Sequence, residues 1–166
     1  ARRGIPDETK PPVDARRGPP QAEAHCNLAD SLQSVGRLDE AVAEYHVAVA
    51  QNPGDADTIN NLGVALEAKG QLADAIKAYG TAVEHRPDHW DAQCNLADAL
   101  HLKGDLERAA AVYRFILEAN PRNAQIASSL GNVLHARGSH AEALAAYEVA
   151  VKNNPLDTIT HNNMGI

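Results

Sequence analysis

The sequence predicts an all-α solenoid of antiparallel helix pairs, and three observations carry that prediction. All four tyrosines, Tyr45, Tyr79, Tyr113 and Tyr147, stand 34 residues apart, and four of the nine prolines, Pro53, Pro87, Pro121 and Pro155, keep the same interval. The apolar positions share that register: Leu28, Leu62, Leu96, Leu130 and Met164 form one series and Leu32, Leu66, Leu100 and Leu134 another. Composition agrees, because 44% of the residues are hydrophobic, only 4% are aromatic, and alanine, the strongest helix former, recurs throughout. A fixed period of this length belongs to stacked supersecondary units, none of which buries its apolar face alone.

Taken in order, the chain opens on a segment of another kind. Residues 1–21 hold five of the nine prolines and two copies of the tetrapeptide ARRG, at 1–4 and 15–18. That composition predicts an extended tail, poorly ordered alone. Its Arg2, Arg3, Lys10, Arg16 and Arg17 stand against Asp7, Glu8 and Asp14, a net of +2, so the total of −7 leaves −9 on residues 22–166. No apolar stretch follows the first arginines, so no secretory leader is expected in this sequence. No run approaches the roughly 18 consecutive apolar residues of a membrane span.

The repeats occupy 22–55, 56–89, 90–123 and 124–157, with a partial fifth at 158–166. In the first, Leu28, Ala29 and Leu32 fall on one face of a helix predicted over 23–35, and Gly36 follows where the chain must turn left-handed. A second helix is predicted over 39–51. Asp39 and Glu40 put negative charge in its first turn, Ala41, Tyr45 and Ala48 form its packed stripe, and Pro53 closes it. Gly70, Gly104 and Gly138, like Ala75, Ala109 and Ala143, repeat these roles in the later units. Ala29, Gly63, Ala97 and Gly131 let the paired helices approach closely, and each tyrosine fills the space those small residues leave. The sequence stops nine residues into the fifth unit, which predicts a partly uncovered apolar face around Leu144, Tyr147 and Val151. A fragment of a longer protein, or a homo-oligomer joined through repeat ends or tail, is expected on that ground.

This pattern resembles the tetratricopeptide repeat family over residues 22–157. The resemblance implies a right-handed superhelix whose first helices line the concave side. The sequence departs from the family where tryptophan is common, with His25, Ile59, Gln93 and Ala127 there instead, and His140 replaces the leucine of Leu38, Leu72 and Leu106. Members that clamp a chaperone's C-terminal carboxylate carry lysine and asparagine in the first of these helices and basic residues in the third, where this chain has Cys26 and Asp30, then Asp91 and Asn95, so that function is disfavoured by charge. The asparagine series described next is similar to that of the repeat region of O-linked N-acetylglucosamine transferases. Asn27, Asn61, Asn95 and Asn163 match it, Ser129 breaks it, and any transferase domain would lie beyond Ile166.

One residue before each core leucine stands Asn27, Asn61, Asn95, Ser129 and, before Met164, Asn163. An asparagine amide carries both a donor and an acceptor, so such a ladder suits the backbone of an extended peptide whatever its side chains. Five rungs at about 1 kcal/mol each give about 5 kcal/mol, short of the about 8 kcal/mol of micromolar affinity. Charge must supply the rest, and Glu23, Asp30, Asp57, Glu67, Asp91 and Asp98 are expected on or beside the same face. The candidate site is thus Asn27, Asp30, Asn61, Asn95, Asp98, Ser129, Asn132 and Asn163. Its expected partner is a protein or peptide segment that is basic and extended, the chain's own tail or a neighbour's included, and not nucleic acid or a membrane. The opposing reading is that these asparagines bond neighbouring helices or water.

Chemistry is not expected. His101 and His135 occupy equivalent places with Asp98 nearby, but two ligands a helix diameter apart are too few for a metal site. His25 and His161 read as packing substitutes, and His85 and His89 flank a helix end near Pro87 where a histidine favours the C-terminal dipole. No Ser-His-Asp set, glycine-rich phosphate loop or paired-cysteine zinc pattern is present. No enzyme activity, cofactor or metal is therefore expected. Cys26 and Cys94 sit two repeats apart, roughly 20 Å at about 10 Å per helix, beyond the near 7 Å limit of a disulfide. Free thiols favour a reducing, cytoplasmic setting.

Overall fold

The computed structural model describes residues 19–155 and Asn163. Among residues 19–155 eight helices run in order: α1 (Pro20–Ser34), α2 (Leu38–Gln51), α3 (Ala56–Ala68), α4 (Leu72–His85), α5 (Trp90–Lys103), α6 (Leu106–Ala119), α7 (Ala124–Ala136) and α8 (His140–Asn153). Each packs chiefly against the next, so the array is built from four hairpins stacked in sequence. No strand occurs among the described residues. No helix among them is long and apolar enough to cross a membrane. The tail prediction lies outside the described residues apart from Pro19, Pro20 and Gln21. Of these, Pro20 begins α1 as its first helical residue, where a missing N–H costs nothing. His161 and Met164 also lie outside the described residues.

Local chemistry explains the boundaries. Gly36, Gly70, Gly104 and Gly138 follow the first helix of each pair with φ between 78° and 85°, the left-handed region in which a Cβ is strained. Side chains cap three of the four first helices: Asp55 accepts from Asp57 N at 3.2 Å, His89 from Ala92 N at 3.4 Å, and Asn123 from Ile126 N at 3.1 Å. His85 stands in the last turn of α4, whereas His89, predicted beside a helix C-terminus, instead caps the N-terminus of α5.

The core follows the repeat. Tyr45, Tyr79 and Tyr113 are 1% exposed, packed with buried Leu32, Leu66, Leu100 and Leu134. A Cβ placed on Gly63 would lie 2.5 Å from Tyr79 Cε1, and one on Gly131 would run into the Tyr147 ring, so those hairpins close only around glycine. Leu62, Leu96 and Leu130 are buried, but Leu28 is 47% exposed, because that position packs against the preceding hairpin and α1 has none among the described residues. At the other end Leu144 is exposed and Val151 half-buried, while Tyr147 is buried.

Candidate peptide-binding face

The polar series becomes a set of linked pairs once the helices are in place. Each tyrosine hydroxyl reaches out of the core toward the first helix of its own pair. Tyr45 donates to Asp30 Oδ1, Tyr113 to Asp98 Oδ1, and Tyr147 to Asn132 Oδ1 at 2.8 Å, each partner lying 15 residues earlier. In the second repeat that place is Val64, which offers no acceptor. Tyr79 donates instead to Glu67 Oε2, one helical turn along, at 2.8 Å. Burial and then the adjacent carboxylates push the hydroxyls of Tyr45, Tyr79 and Tyr113 well above the usual tyrosine range, and burial alone raises Tyr147. The hydroxyls therefore act as fixed donors holding three carboxylates, Asp30, Glu67 and Asp98, on one side of successive repeats.

The ladder residues meet the same partners from the following repeat. Asn61 joins Asp30, Gln33, Ser34, Tyr45 and Val64 around a cleft of about 370 Å³ between α1 and α3. Ser129 lies beside the Tyr113 hydroxyl that serves Asp98. Asn163 donates to Asn132 Oδ1 at 2.8 Å. For Asn95 the equivalent partner position is Val64, which offers no acceptor, and it donates to buried Asn60 Oδ1 at 3.0 Å. The structure thus brings together Asp30 with Asn61, Asp98 with Ser129, and Asn132 with Asn163. Asn27 is exposed with no side-chain hydrogen bond among the described residues, and Asn95 is tied to α3. Sequence reasoning passed over Gln33, Asn60 and the tyrosine hydroxyls, having read the tyrosines as fillers. The signal for them was the fixed 15-residue offset between a polar residue and each of three tyrosines.

Elsewhere some of the acidic residues are tied into ion pairs. Asp57 meets the Arg86 guanidinium and lies 3.2 Å from His89 Nε2. His25 Nδ1 sits 2.6 Å from Glu44 Oε2, bridging α1 and α2. His135 stacks edge-on against His140 with ring centroids 5.1 Å apart, rather than pairing with His101. No group of three metal-ligating side chains converges among the described residues. Cys26 and Cys94 are free and half-buried, and burial together with nearby aspartates raises both thiols, which weakens them as nucleophiles.

A family model described as tetratricopeptide repeat matches residues 26–79, 60–114 and 103–158. The chain belongs to the tetratricopeptide repeat family. No curated protein matches the sequence. Among solved structures, tetratricopeptide arrays superpose well at low identity. MamA 41-end from Desulfovibrio magneticus RS-1 aligns with a TM-score of 0.82 at 20% identity, over 89% of this chain and 83% of that one. YrrB, described as a TPR protein with an unusual peptide-binding site, aligns at 0.76 and 22% identity, over 87% of this chain and 74% of that one. A tetratricopeptide repeat protein from Parabacteroides merdae aligns at 0.80 and 19%, over 87% and 59%. These likenesses establish the tetratricopeptide fold, which is consistent with an interaction scaffold.

Proposed function

We propose that this tetratricopeptide array is a scaffold that binds an extended, basic polypeptide segment along the face built by α1, α3, α5 and α7. The observation that carries the reading is the row of three carboxylates in successive repeats, Asp30 and Asp98 at equivalent positions and Glu67 one helical turn along, each held by a tyrosine hydroxyl. Fixed carboxylates lose little side-chain entropy on meeting an arginine or lysine, and charge-assisted hydrogen bonds are about twice as strong as neutral ones. Asn27 and Asn61, whose amides have no partner among the described residues, supply backbone contacts between them. The net charge of −7 supports a basic partner over nucleic acid. The chain's own arginines at 2, 3, 16 and 17, or those of a second copy, carry the matching charge. Half-buried, unpaired thiols suit a reducing, cytoplasmic setting.

The test is fluorescence anisotropy of a labelled arginine- and lysine-bearing peptide against the wild type and the double variant Asp30→Asn, Asp98→Asn. Asn132 already holds Tyr147 in this way, so asparagine preserves the packing and removes only the charge. Binding weakened at least about tenfold, and weakened further by salt, is expected. Equal binding by the variant, or equal binding of an acidic peptide, would sink the reading. Replacing the four tail arginines by glutamate should raise affinity for the added peptide if the tail occupies the face, and unchanged affinity removes the tail from that role.

A further inference from the structure

We propose that the cleft between α1 and α3 is a side-chain pocket that selects arginine over lysine, so that one arginine at the first repeat sets the register of the bound segment. The inference rests on the reading of this face as a scaffold for basic peptides and adds which basic residue is recognised and where. Asp30, Gln33, Ser34, Tyr45, Asn61 and Val64 surround a volume of about 370 Å³. Both hydroxyl protons there are committed inside the fold. Tyr45 donates to Asp30 Oδ1 with Gln33 Oε1 3.1 Å away, and Ser34 donates to Ser31 O at 2.7 Å. Acceptors remain: the second Asp30 oxygen, the Ser34 hydroxyl oxygen, the spare lone pair of Gln33 Oε1 and the Asn61 carbonyl. The N–H groups of the two amides stay available for a peptide's backbone carbonyls.

One carboxylate accompanied by several neutral acceptors calls for a cation whose N–H groups point in several directions. A guanidinium offers five donors in a plane and an ammonium three, and the guanidinium is the more weakly hydrated, so its flat face rests on the apolar Val64 wall at little cost. The later repeats lack this combination. In the second, Val64, Glu67, Ala68, Asn95 and Asp98 hold the equivalent places, and with Asn95 tied to Asn60 the remaining acceptors are carboxylates, which satisfy the point charge of a lysine as well. In the third, Asn132 stands where the first has Val64, and its Oδ1 already accepts from Tyr147 and Asn163. The apolar groove between α4 and α6, where Val83, Leu96 and Val112 lie beside Phe115 and its ring neighbour Trp90, has no carboxylate in its lining and serves as a control surface. Among the chain's own segments, residues 1–21 carry four arginines and one lysine.

The probe is a labelled extended peptide with three lysines. It is compared with three versions in which one lysine at a time becomes arginine, and with the all-arginine peptide, each titrated against the full chain by fluorescence anisotropy. At least one single replacement should tighten binding about tenfold, and the all-arginine peptide should gain no more than about that, because one cleft makes the choice. Gln33→Leu should cut the gain at least about threefold and leave the affinity of the all-lysine peptide unchanged. Tyr45 keeps Asp30 as its acceptor in that variant, so the hairpin core is undisturbed. In the wild type, the Gln33 and Asn61 side-chain amide resonances should move further with the tighter single-arginine peptide than with the all-lysine peptide, a readout that needs no variant. Single-arginine peptides that all bind like the lysine parent overturn the arginine pocket and leave the basic-peptide scaffold standing. So do gains that multiply with each added arginine, and a gain that survives Gln33→Leu in full. A chain that binds no basic peptide overturns both readings.

Discussion

Raising the pH should unfold this array and ionise its tyrosines in a single step. Tyr45, Tyr79 and Tyr113 are 1% exposed and hydrogen-bond to carboxylates, so ionising any of them would set a phenolate against a carboxylate inside the hairpin. Their folded pKa values are raised, whereas in the unfolded chain each titrates near the ordinary value of about 10. The stability they contribute is fully present below about pH 10 and is lost as pH rises, because only the unfolded state releases the protons. At about pH 11 each retained proton costs the folded state about 1.4 kcal/mol, and the three together about 4 kcal/mol. That is a large share of the 5–15 kcal/mol typical of a domain. The assay is an alkaline titration followed in parallel by tyrosinate absorbance and far-ultraviolet circular dichroism. The two signals should change together, and the triple replacement of these tyrosines by phenylalanine should move the helical transition to higher pH. Tyrosinate absorbance growing near pH 10 while helicity is intact would refute the reasoning.

Other predictions follow from single positions. Gly104→Ala should cost about 1–2 kcal/mol in chemical denaturation, because φ is +85° there and the added Cβ meets no neighbour that could change the balance. Leu100→Ala, at a fully buried position, should cost about 2–5 kcal/mol, while Leu102→Ala, at 70% exposure, should stay within about 0.5 kcal/mol. Val64→Asn supplies the acceptor that the second repeat lacks. The Asn95 side-chain amide resonances should then move as it leaves Asn60, with stability changed by no more than about 1 kcal/mol.

Most of the fold was legible because it is local and repeated. The glycines that end the first helices, the alanine and tyrosine stripes and the closing prolines each act within one unit, and four copies of each leave little ambiguity. Context decided what the repeat could not show. Leu28 holds the same place in its repeat as Leu62 but has no hairpin before it among the described residues, so it is exposed. His89 caps α5 because the chain turns back after Pro87, a matter of which helix end the imidazole meets. On the candidate face, the asparagine ladder was visible as a series, but its hydrogen bonds were not, since they depend on which side chain of the preceding repeat's first helix each rung meets: Asn163 finds Asn132 and Asn95 finds Asn60. The single apolar Val64 redirects two of those bonds, Asn95 to Asn60 and Tyr79 to Glu67, and no periodic pattern contains that information.

The central claim, that the face of α1, α3, α5 and α7 receives a basic extended segment, is tested most directly by mapping backbone amide shifts in the full chain as a basic peptide is titrated in. The account predicts shifts concentrated around Asp30, Asn61, Glu67, Asp98 and Ser129, with Trp90 and Phe115 on the opposite side unmoved. Shifts confined to the α4–α6 groove, or none at all at saturating peptide, would contradict it.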